Sequence, residues 1–261
     1  MFDARDLSEA LAAVRDEHAP GAIVLDTETD FETLPPDQAE SLGLLVDSLS
    51  PTSYPAEWLP EDAPQLLTQY ASNTFTIGMP GDGSVVWTRQ TTPPLVFVKA
   101  RTQGSPKAFI DFLIAEAFVE LGTGEPEHFL PFFGDAYRDL DDALALGPVD
   151  TYQIAAALYD AYLGLQTRDV FASWQDTHPD LFDAWQDAGV RMEPRLSNLT
   201  RDVALGKTDF AAATEYACSA VKHGLELPAP FGALDTQAYR EHGAPYAVKW
   251  AEKTFERLRE A

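Results

Sequence analysis

The sequence has few basic residues, one cysteine and no long apolar run. Its 261 residues include 18 lysines and arginines against 42 aspartates and glutamates, which gives a formal net charge of −24. Cys218 is the only cysteine, so an intrachain disulfide and a cysteine-based zinc site are both excluded. The apolar stretches are too short to cross a bilayer as a helix. Disulfide-stabilised domains, cysteine zinc proteins and helical membrane proteins are therefore excluded.

The composition is that of a folded globular protein. Hydrophobic residues make up 45% and charged residues 23% of the chain, which is enough for one large core or two modest ones. The N-terminal stretch MFDARDLSEA lacks the basic region and apolar core of a secretory signal. We therefore expect a cytoplasmic protein that does not associate with membranes.

The acidic excess is similar to that of haloarchaeal proteins, which work in a cytoplasm of molar salt. At about 1 M salt the Debye length is about 3 Å, so repulsion between the carboxylates is screened. In dilute buffer the same charge would disfavour nucleic acid, whereas in molar salt phosphate contacts lose their counterion-release advantage in any case. The charge therefore indicates habitat and does not decide the class of partner; it disfavours nucleic acid without excluding it.

Helical periodicity dominates the chain outside one central segment. Apolar residues recur at helical spacing in residues 7–18, 36–49 and 63–71. A nearly all-apolar helix, typical of a core position, is predicted from Ser105-Pro106 to Gly122. From about residue 141 the pattern is helical to the end of the chain.

The central segment has β character. Residues 74–101 contain three β-branched and aromatic runs, separated by a Pro-Gly-Asp-Gly turn at 80–83 and by Pro93-Pro94. These short connections predict a small antiparallel three-stranded meander packed on helices. The predicted fold class is thus α+β and predominantly α-helical. We expect an α+β part at 1–122 and a helical part at 123–261, either as two domains or as one continuous domain.

The stretch AIVLDTETDF, residues 22–31, is an apolar run that ends in an Asp-x-Glu pair. Residues two apart on a strand share a face, so both carboxylates can reach one divalent cation. VLDTET resembles the first motif of the DEDD exonuclease family, and the Tyr-x-x-x-Asp spacing near residue 140 resembles its third. The resemblance implies two metal ions held by four carboxylates, with a tyrosine that positions the attacking water: Asp26, Glu28, Asp111, Asp141 and Tyr137.

A second interpretation of the same stretch is structural. Thr29 and Glu32 have the spacing of a helix capping box, followed by Pro35-Pro36. The acidic residues at 26, 28, 30 and 32 would then form a solvated edge. The family resemblance covers only about a dozen residues, and the asparagine typical of its second motif is missing near Asp111.

Three basic residues lie close together in this lysine-poor sequence. Lys99 and Arg101 share one face of the predicted third strand, and Arg89 lies on the neighbouring strand. Such a cluster can bind a carboxylate, a phosphate or an acidic segment of a partner protein. Alternatively, the three cations pair with acidic residues of the fold itself.

Three stretches, YPAEWLPEDAP, FTIGMPGDGSVVWTRQTTPP and GSPKAFIDFLIAEAFVELG, are similar to uncharacterised protein families restricted to haloarchaea. The resemblance implies a halophilic habitat and no known activity. We therefore expect a non-catalytic binding or interaction protein, without cofactor or resident metal, that binds a protein partner or a small anion through Arg89, Lys99 and Arg101. The alternative is a metal-dependent phosphodiesterase built on the four carboxylates.

The charge predicts that salt stabilises the fold. Raising KCl from about 0.1 M to about 1 M shortens the Debye length from about 10 Å to about 3 Å, so the midpoint of thermal unfolding should rise. Circular dichroism melts measure this, with sorbitol of equal osmolality as the uncharged control. A midpoint that does not rise more in KCl than in sorbitol would contradict the prediction.

Overall fold

The fold is α+β, with 59% of residues in helices and 8% in strands. The computed structural model describes residues 2–34 and 36–260. The strands in this part of the chain are β1 (Phe2–Ala4), β2 (Ile23–Thr27), β3 (Ser48–Leu49), β4 (Val85–Thr88), β5 (Thr91–Thr92) and β6 (Leu95–Val98). The helices are α1 (Glu9–His18), α2 (Pro36–Leu42), α3 (Gln65–Tyr70), α4 (Lys107–Thr123), α5 (Phe129–Phe133), α6 (Ala136–Leu144), α7 (Pro148–Thr177), α8 (Pro179–Leu196), α9 (Leu199–Ala204), α10 (Phe210–Val221), α11 (Gln237–His242) and α12 (Ala244–Glu260).

The chain folds into two compact units. The sheet unit comprises Met1–Tyr54, Gln69–Glu127 and Val170–Trp185, and the helical unit comprises Pro55–Thr68, His128–Asp169 and Gln186–Ala261. The predicted helical character of the C-terminal half agrees with α5 to α12. Independent folding of 1–122 and 123–261 stays a prediction.

The sheet unit contains a mixed four-stranded sheet instead of the predicted three-stranded meander, which was wrong. The strand order is β1-β2-β6-β4, with β2 parallel to β6 and the two outer pairings antiparallel. The first predicted run, at 75–79, forms no strand, and β5 pairs with β3 in a separate two-stranded ribbon. The meander therefore reduces to the β4–β6 pair, and the other neighbour of β6 comes from the N-terminal segment.

Burial of β6 on both faces explains this topology. All four residues of β6 are buried, and such a continuous apolar strand needs neighbours on both edges and cover on both faces. Val96 and Val98 point into one apolar cluster with α4, whereas Leu95 and Phe97 point into the cluster on the other face. A strand of this kind lies inside a sheet, and an outer meander position would leave one of its edges open.

Helix α4 covers one face of the sheet, as its all-round apolar pattern predicts. The glycine that ends the helix is Gly124, two residues after the expected Gly122. Gly124 has a φ of 81°, which is the left-handed conformation that ends a helix. Gly122 instead lies inside α4 against α1, where an added Cβ would come within 2.8 Å of the His18 carbonyl oxygen. Close packing of α1 on α4 therefore requires a glycine at position 122.

Two further helices differ from the periodic pattern. The helix predicted over 36–49 ends at Leu42, and Ser48–Leu49 pairs with β5 instead. Leu42 is buried, and Val46 and Leu49 pack against the same apolar cluster although they follow the end of the helix, so their spacing reflects core packing without a continuous helix. In the helical unit, the sequence favours Thr208 as the N-cap of α10, whereas the residue that caps the helix is Asp209, which accepts a hydrogen bond from the Ala212 amide.

The helical unit has its own core around α7 and α10. Ile154, Leu158 and Leu165 of α7, which recur at helical spacing in the sequence together with the partly buried Tyr162, are at most 1% exposed. Cys218 on α10 is also buried, and burial raises the pKa of its thiol well above the usual value. Among the described residues, no helix is long and apolar enough to span a membrane.

Replacing Gly122 by alanine tests the contact between α1 and α4. Alanine favours helix by up to about 1 kcal/mol, but its Cβ would push the His18 backbone away, so we expect a net loss of about 1–3 kcal/mol in unfolding free energy. Denaturant unfolding in molar KCl measures this. Gly147→Ala is the control, because no atom lies within 4 Å of its added Cβ. Equal stability of the two variants would contradict the proposed packing role.

Candidate binding site at the carboxyl edge of the sheet

The carboxyl ends of the parallel strands β2 and β6 lie at one edge of the sheet. This edge is where ligands commonly bind in open sheets with parallel strands. The chain that leaves β2 contacts the chain that leaves β6, because the Ala100 amide donates a hydrogen bond of 3.1 Å to the Thr27 hydroxyl. Residues around 28–32 and 99–101 are thus held together, although they are far apart in the sequence.

Lys99 forms the buried base of this edge. Its side chain is 0% exposed, and its ammonium group pairs with the Asp82 carboxylate and lies 4.8 Å from the centre of the Phe31 ring. Asp82 also accepts a hydrogen bond of 2.9 Å from the Met79 amide. Burial raises the pKa of Asp82, and this effect outweighs the opposing attraction of Lys99. The pair therefore fixes the turn at 79–82 against the end of β6.

Arg101 lies at the surface of the same edge, in a short 3₁₀ helix from Ala100 to Thr102. Its Nε donates to both carboxylate oxygens of Asp30, at 2.9 and 2.8 Å. One Nη group donates to Glu32 at 2.7 Å and to the Phe31 carbonyl at 3.1 Å. Hydrogen bonds from Arg101 lower the pKa of Asp30. The 3₁₀ turn separates Arg101 from the end of β6, so it does not continue a strand face with Lys99.

Arg89 lies at the opposite end of the β4–β6 pair. The register places Lys99 beside Ser84, before β4 begins, whereas Arg89 follows the last residue of β4. Ser84 and Arg89 are five residues apart, so at about 3.4 Å per residue the backbones of Lys99 and Arg89 are roughly 17 Å apart along the strands. The three basic residues therefore belong to two separate networks, and the single face expected for Arg89, Lys99 and Arg101 is not formed.

The Arg89 network holds the end of α4. Its guanidinium donates to the carbonyl oxygens of Leu121 and Glu125, and its charge lies beside the carboxyl terminus of the helix, where a cation is favoured. The Arg89 amide donates to the Glu127 carboxylate at 2.8 Å. Burial raises the pKa of Glu127 even though three groups donate hydrogen bonds to it. Arg89 is thus part of the framework of the sheet unit.

The four carboxylates of the exonuclease-like alternative have other partners or positions. Arg5 donates hydrogen bonds to the Asp26 carboxylate through Nε, at 3.1 Å, and through one Nη group, at 2.5 Å. Glu28 is exposed just beyond β2. Asp111 pairs with Lys107 one turn earlier on α4. In the helical unit, Asp141 accepts a hydrogen bond of 2.9 Å from Thr151.

Tyr137, the residue expected to position a water molecule, lies in the core of the helical unit. It is 1% exposed and stacks on Phe129, and burial raises the pKa of its hydroxyl. Within residues 2–34 and 36–260, no group of three or more histidine, cysteine, aspartate or glutamate side chains is arranged to hold a metal ion. The described residues therefore give the phosphodiesterase alternative no assembled ligand set.

The capping box expected at Thr29 and Glu32 is not formed either. Residues 28–34 are bends and extended chain, and the acidic residues at 30 and 32 bind Arg101. Sequence reasoning missed Arg5, because β1 is only three residues long, and it missed Asp82, because its partner Lys99 was placed in a surface patch. An Asp in a Pro-Gly-Asp-Gly turn ahead of a buried lysine-terminated strand is the signal that predicts this pair.

The fold and the ion-pair networks define an α+β protein whose mixed sheet is held at its carboxyl edge by internal salt bridges. The chain belongs to the family of unknown function DUF7089, because the sequence model of that family matches residues 1–258. Comparisons with curated proteins and with solved structures give no match. The predicted membership of a family of unknown function is confirmed.

Removing the Lys99 charge tests whether the buried pair supports the sheet unit. Lys99→Met leaves the partly buried Asp82 carboxylate without its cation, so we expect a loss of about 3–5 kcal/mol in unfolding free energy. Lys249→Met is the control, because it breaks a pair with Glu252 in which the two side chains are 62% and 45% exposed, and such a pair is worth less than about 1 kcal/mol. Denaturant unfolding compares the two variants. Equal losses would contradict a structural role specific to Lys99.

Proposed function

We propose that the protein is a non-catalytic binding protein of a haloarchaeal cytoplasm, and that it binds an anionic group through Arg101. The observation that carries the proposal is the different accessibility of the three predicted cations. Lys99 is fully buried, and Arg89 is directed at backbone carbonyls at the end of α4. Arg101 keeps 28% of its side chain exposed, at the carboxyl edge of the parallel strands.

The guanidinium of Arg101 is held in position with part of its hydrogen-bonding capacity unused. Nε and one Nη group bind Asp30, Phe31 and Glu32, while the other Nη group makes no hydrogen bond within the described part of the chain. A carboxylate or phosphate can bind there by charge-assisted hydrogen bonds, for which the planar guanidinium is suited. Because Asp30 and Glu32 are half-exposed, an incoming anion can also replace them at small cost.

The surrounding charge supports the halophilic part of the proposal. Asp30, Glu32 and the other acids repel an anionic ligand that approaches Arg101 in dilute buffer. Molar salt screens this repulsion over distances beyond about 3 Å. Short-range hydrogen bonds to Arg101 are screened less. The same net charge of −24 supports a cytoplasm rich in salt as the working environment.

Substitution of Arg101 tests the proposal. We expect the Arg101 side-chain Nε–H resonance of the wild type to shift when inorganic phosphate or a poly-glutamate peptide is added in about 1 M KCl. Phosphate and peptide are separate arms that distinguish a small anion from an acidic protein segment. Arg101→Glu should weaken the binding at least about tenfold, since hydrogen bonds to a charged group are worth about 1.5–3 kcal/mol.

Arg15→Glu is the matched control, because Arg15 is also paired with a carboxylate and has a similarly exposed side chain, 30%. Circular dichroism checks that both variants fold. A wild type that responds to neither probe, or an Arg101→Glu variant that binds like the wild type, would contradict the proposed site.

A further inference from the structure

The outer edge of β4 carries backbone groups without hydrogen-bond partners. β4 is the last strand in the order β1-β2-β6-β4, so only one of its edges has a neighbouring strand. The Lys99 amide donates to the Ser84 carbonyl at 2.9 Å, which identifies Ser84 as a residue whose backbone faces β6. Antiparallel pairing alternates, so the backbones of Val86 and Thr88 also face β6, whereas those of Val85 and Trp87 face outward.

The parallel pair on the other side of β6 supports the same alternation. The Ile23 amide donates to the Pro94 carbonyl at 3.0 Å, just before β6. The backbone groups of even-numbered residues of β6 therefore face β2, and those of odd-numbered residues face β4. Within the described residues, the N–H and C=O groups of Val85 and Trp87 make no hydrogen bond. The edge thus presents two donors and two acceptors, spaced two residues apart.

The strand has few of the features that prevent edge-to-edge pairing. Its sequence is VVWT, without a charged residue, a proline or a bulge, although it is short. The side chains of Val85 and Trp87 point to the face covered by α4 and are only partly buried. Beyond Thr88 the outward side is closed, because the next outward-facing amide, that of Arg89, is bound by Glu127. Within β4 (Val85–Thr88), the open edge therefore consists of residues 85–87.

We propose that two copies of the chain pair through this edge, antiparallel about a two-fold axis at Val86. In that register Val85 lies opposite Trp87 of the partner subunit, and Trp87 lies opposite Val85 of the partner subunit. Four hydrogen bonds then satisfy all the outward groups of both edges, and such a self-complementary interface closes at two copies. The pairing also places each tryptophan next to a valine, a favourable cross-strand combination. The two sheets become one sheet of eight strands.

Charge determines when this dimer forms. Each copy carries a formal charge of −24, so the two copies repel each other in dilute buffer. At about 1 M salt the Debye length is about 3 Å, and only charges in close contact still repel. We therefore expect a dimer in molar KCl and a shift towards monomer at about 0.1 M KCl.

Two measurements on the wild-type chain test the dimer. Light scattering in about 1 M KCl should give twice the chain mass of 28.6 kDa, falling towards the mass of one chain on dilution. Hydrogen exchange should protect the amides of Val85 and Trp87 in the dimer, and exchange should accelerate about tenfold or more on dilution to monomer. A monomer in molar salt overturns the proposal. So does a dimer in which both amides exchange as fast as in the monomer, because the interface then lies elsewhere.

A pair of substitutions at one position gives a second test. Val85→Pro removes an outward N–H without touching the β6-facing ladder, whereas Val85→Ala keeps that N–H. We expect Val85→Pro to be monomeric and Val85→Ala to remain dimeric, with folding checked by circular dichroism. A folded Val85→Pro dimer overturns the proposal, and if that variant does not fold, the wild-type exchange data decide. Amides at 85 and 87 that become protected only when another protein is added would assign the edge to a foreign strand and also overturn the second copy as its occupant. None of these outcomes depends on Arg101.

Discussion

The parallel pairing of β2 with β6 is the constraint on which the arrangement of the sheet unit depends. Parallel strands cannot be joined by a tight turn, so the chain from 28 to 94 must return to the starting end of the sheet before β6 begins. This long crossover contains α2, α3, β3, β4 and β5. It also brings the exits of both strands to one edge, where the Thr27 hydroxyl accepts the Ala100 hydrogen bond. Without this pairing, the segments that carry Asp30 and Arg101 would not lie next to each other.

Much of the fold follows from periodicity, and the errors occur where pairing between distant segments decides. The helices predicted over 7–18 and from Ser105-Pro106 to Gly122 are present as α1 and α4, and the predicted helical character of the C-terminal half includes the long helix α7, because the apolar spacing in these segments is regular. The strand partners of β6 were not predictable from short connections alone. Phe97 packs into the apolar cluster on one face of the sheet, and Val96 packs into the cluster on the other face. A strand that is buried on both faces is expected inside a sheet, and this pattern is a more reliable indication than the turn sequence that predicted a meander.

The ion pairs were predicted in part: pairing of the cations with acids of the fold was one of the two interpretations, but the particular partners of Arg101 were not identified. Binding of an anion at Arg101 stays a prediction. Local spacing suggested that Thr29 and Glu32 cap a helix, whereas tertiary contacts use Asp30 and Glu32 to hold a guanidinium about seventy residues away in the chain. Such pairs have no sequence spacing of their own. In a chain where acids outnumber bases so strongly, each cation has many possible partners. The Lys99–Asp82 pair depends on the register of β4 on β6, which brings the turn before β4 next to the end of β6.

Cys218 gives the helical unit a built-in reporter of its own opening. The thiol is buried, and its raised pKa keeps it in the unreactive protonated form. No second cysteine competes for a thiol reagent, so labelling reports the exposure of this one side chain. The labelling rate equals the rate of opening when the reagent reacts faster than α10 closes, and it reports the equilibrium fraction of the open state when closing is faster. Local unfolding of the helical unit can thus be followed at any salt concentration in the unaltered chain.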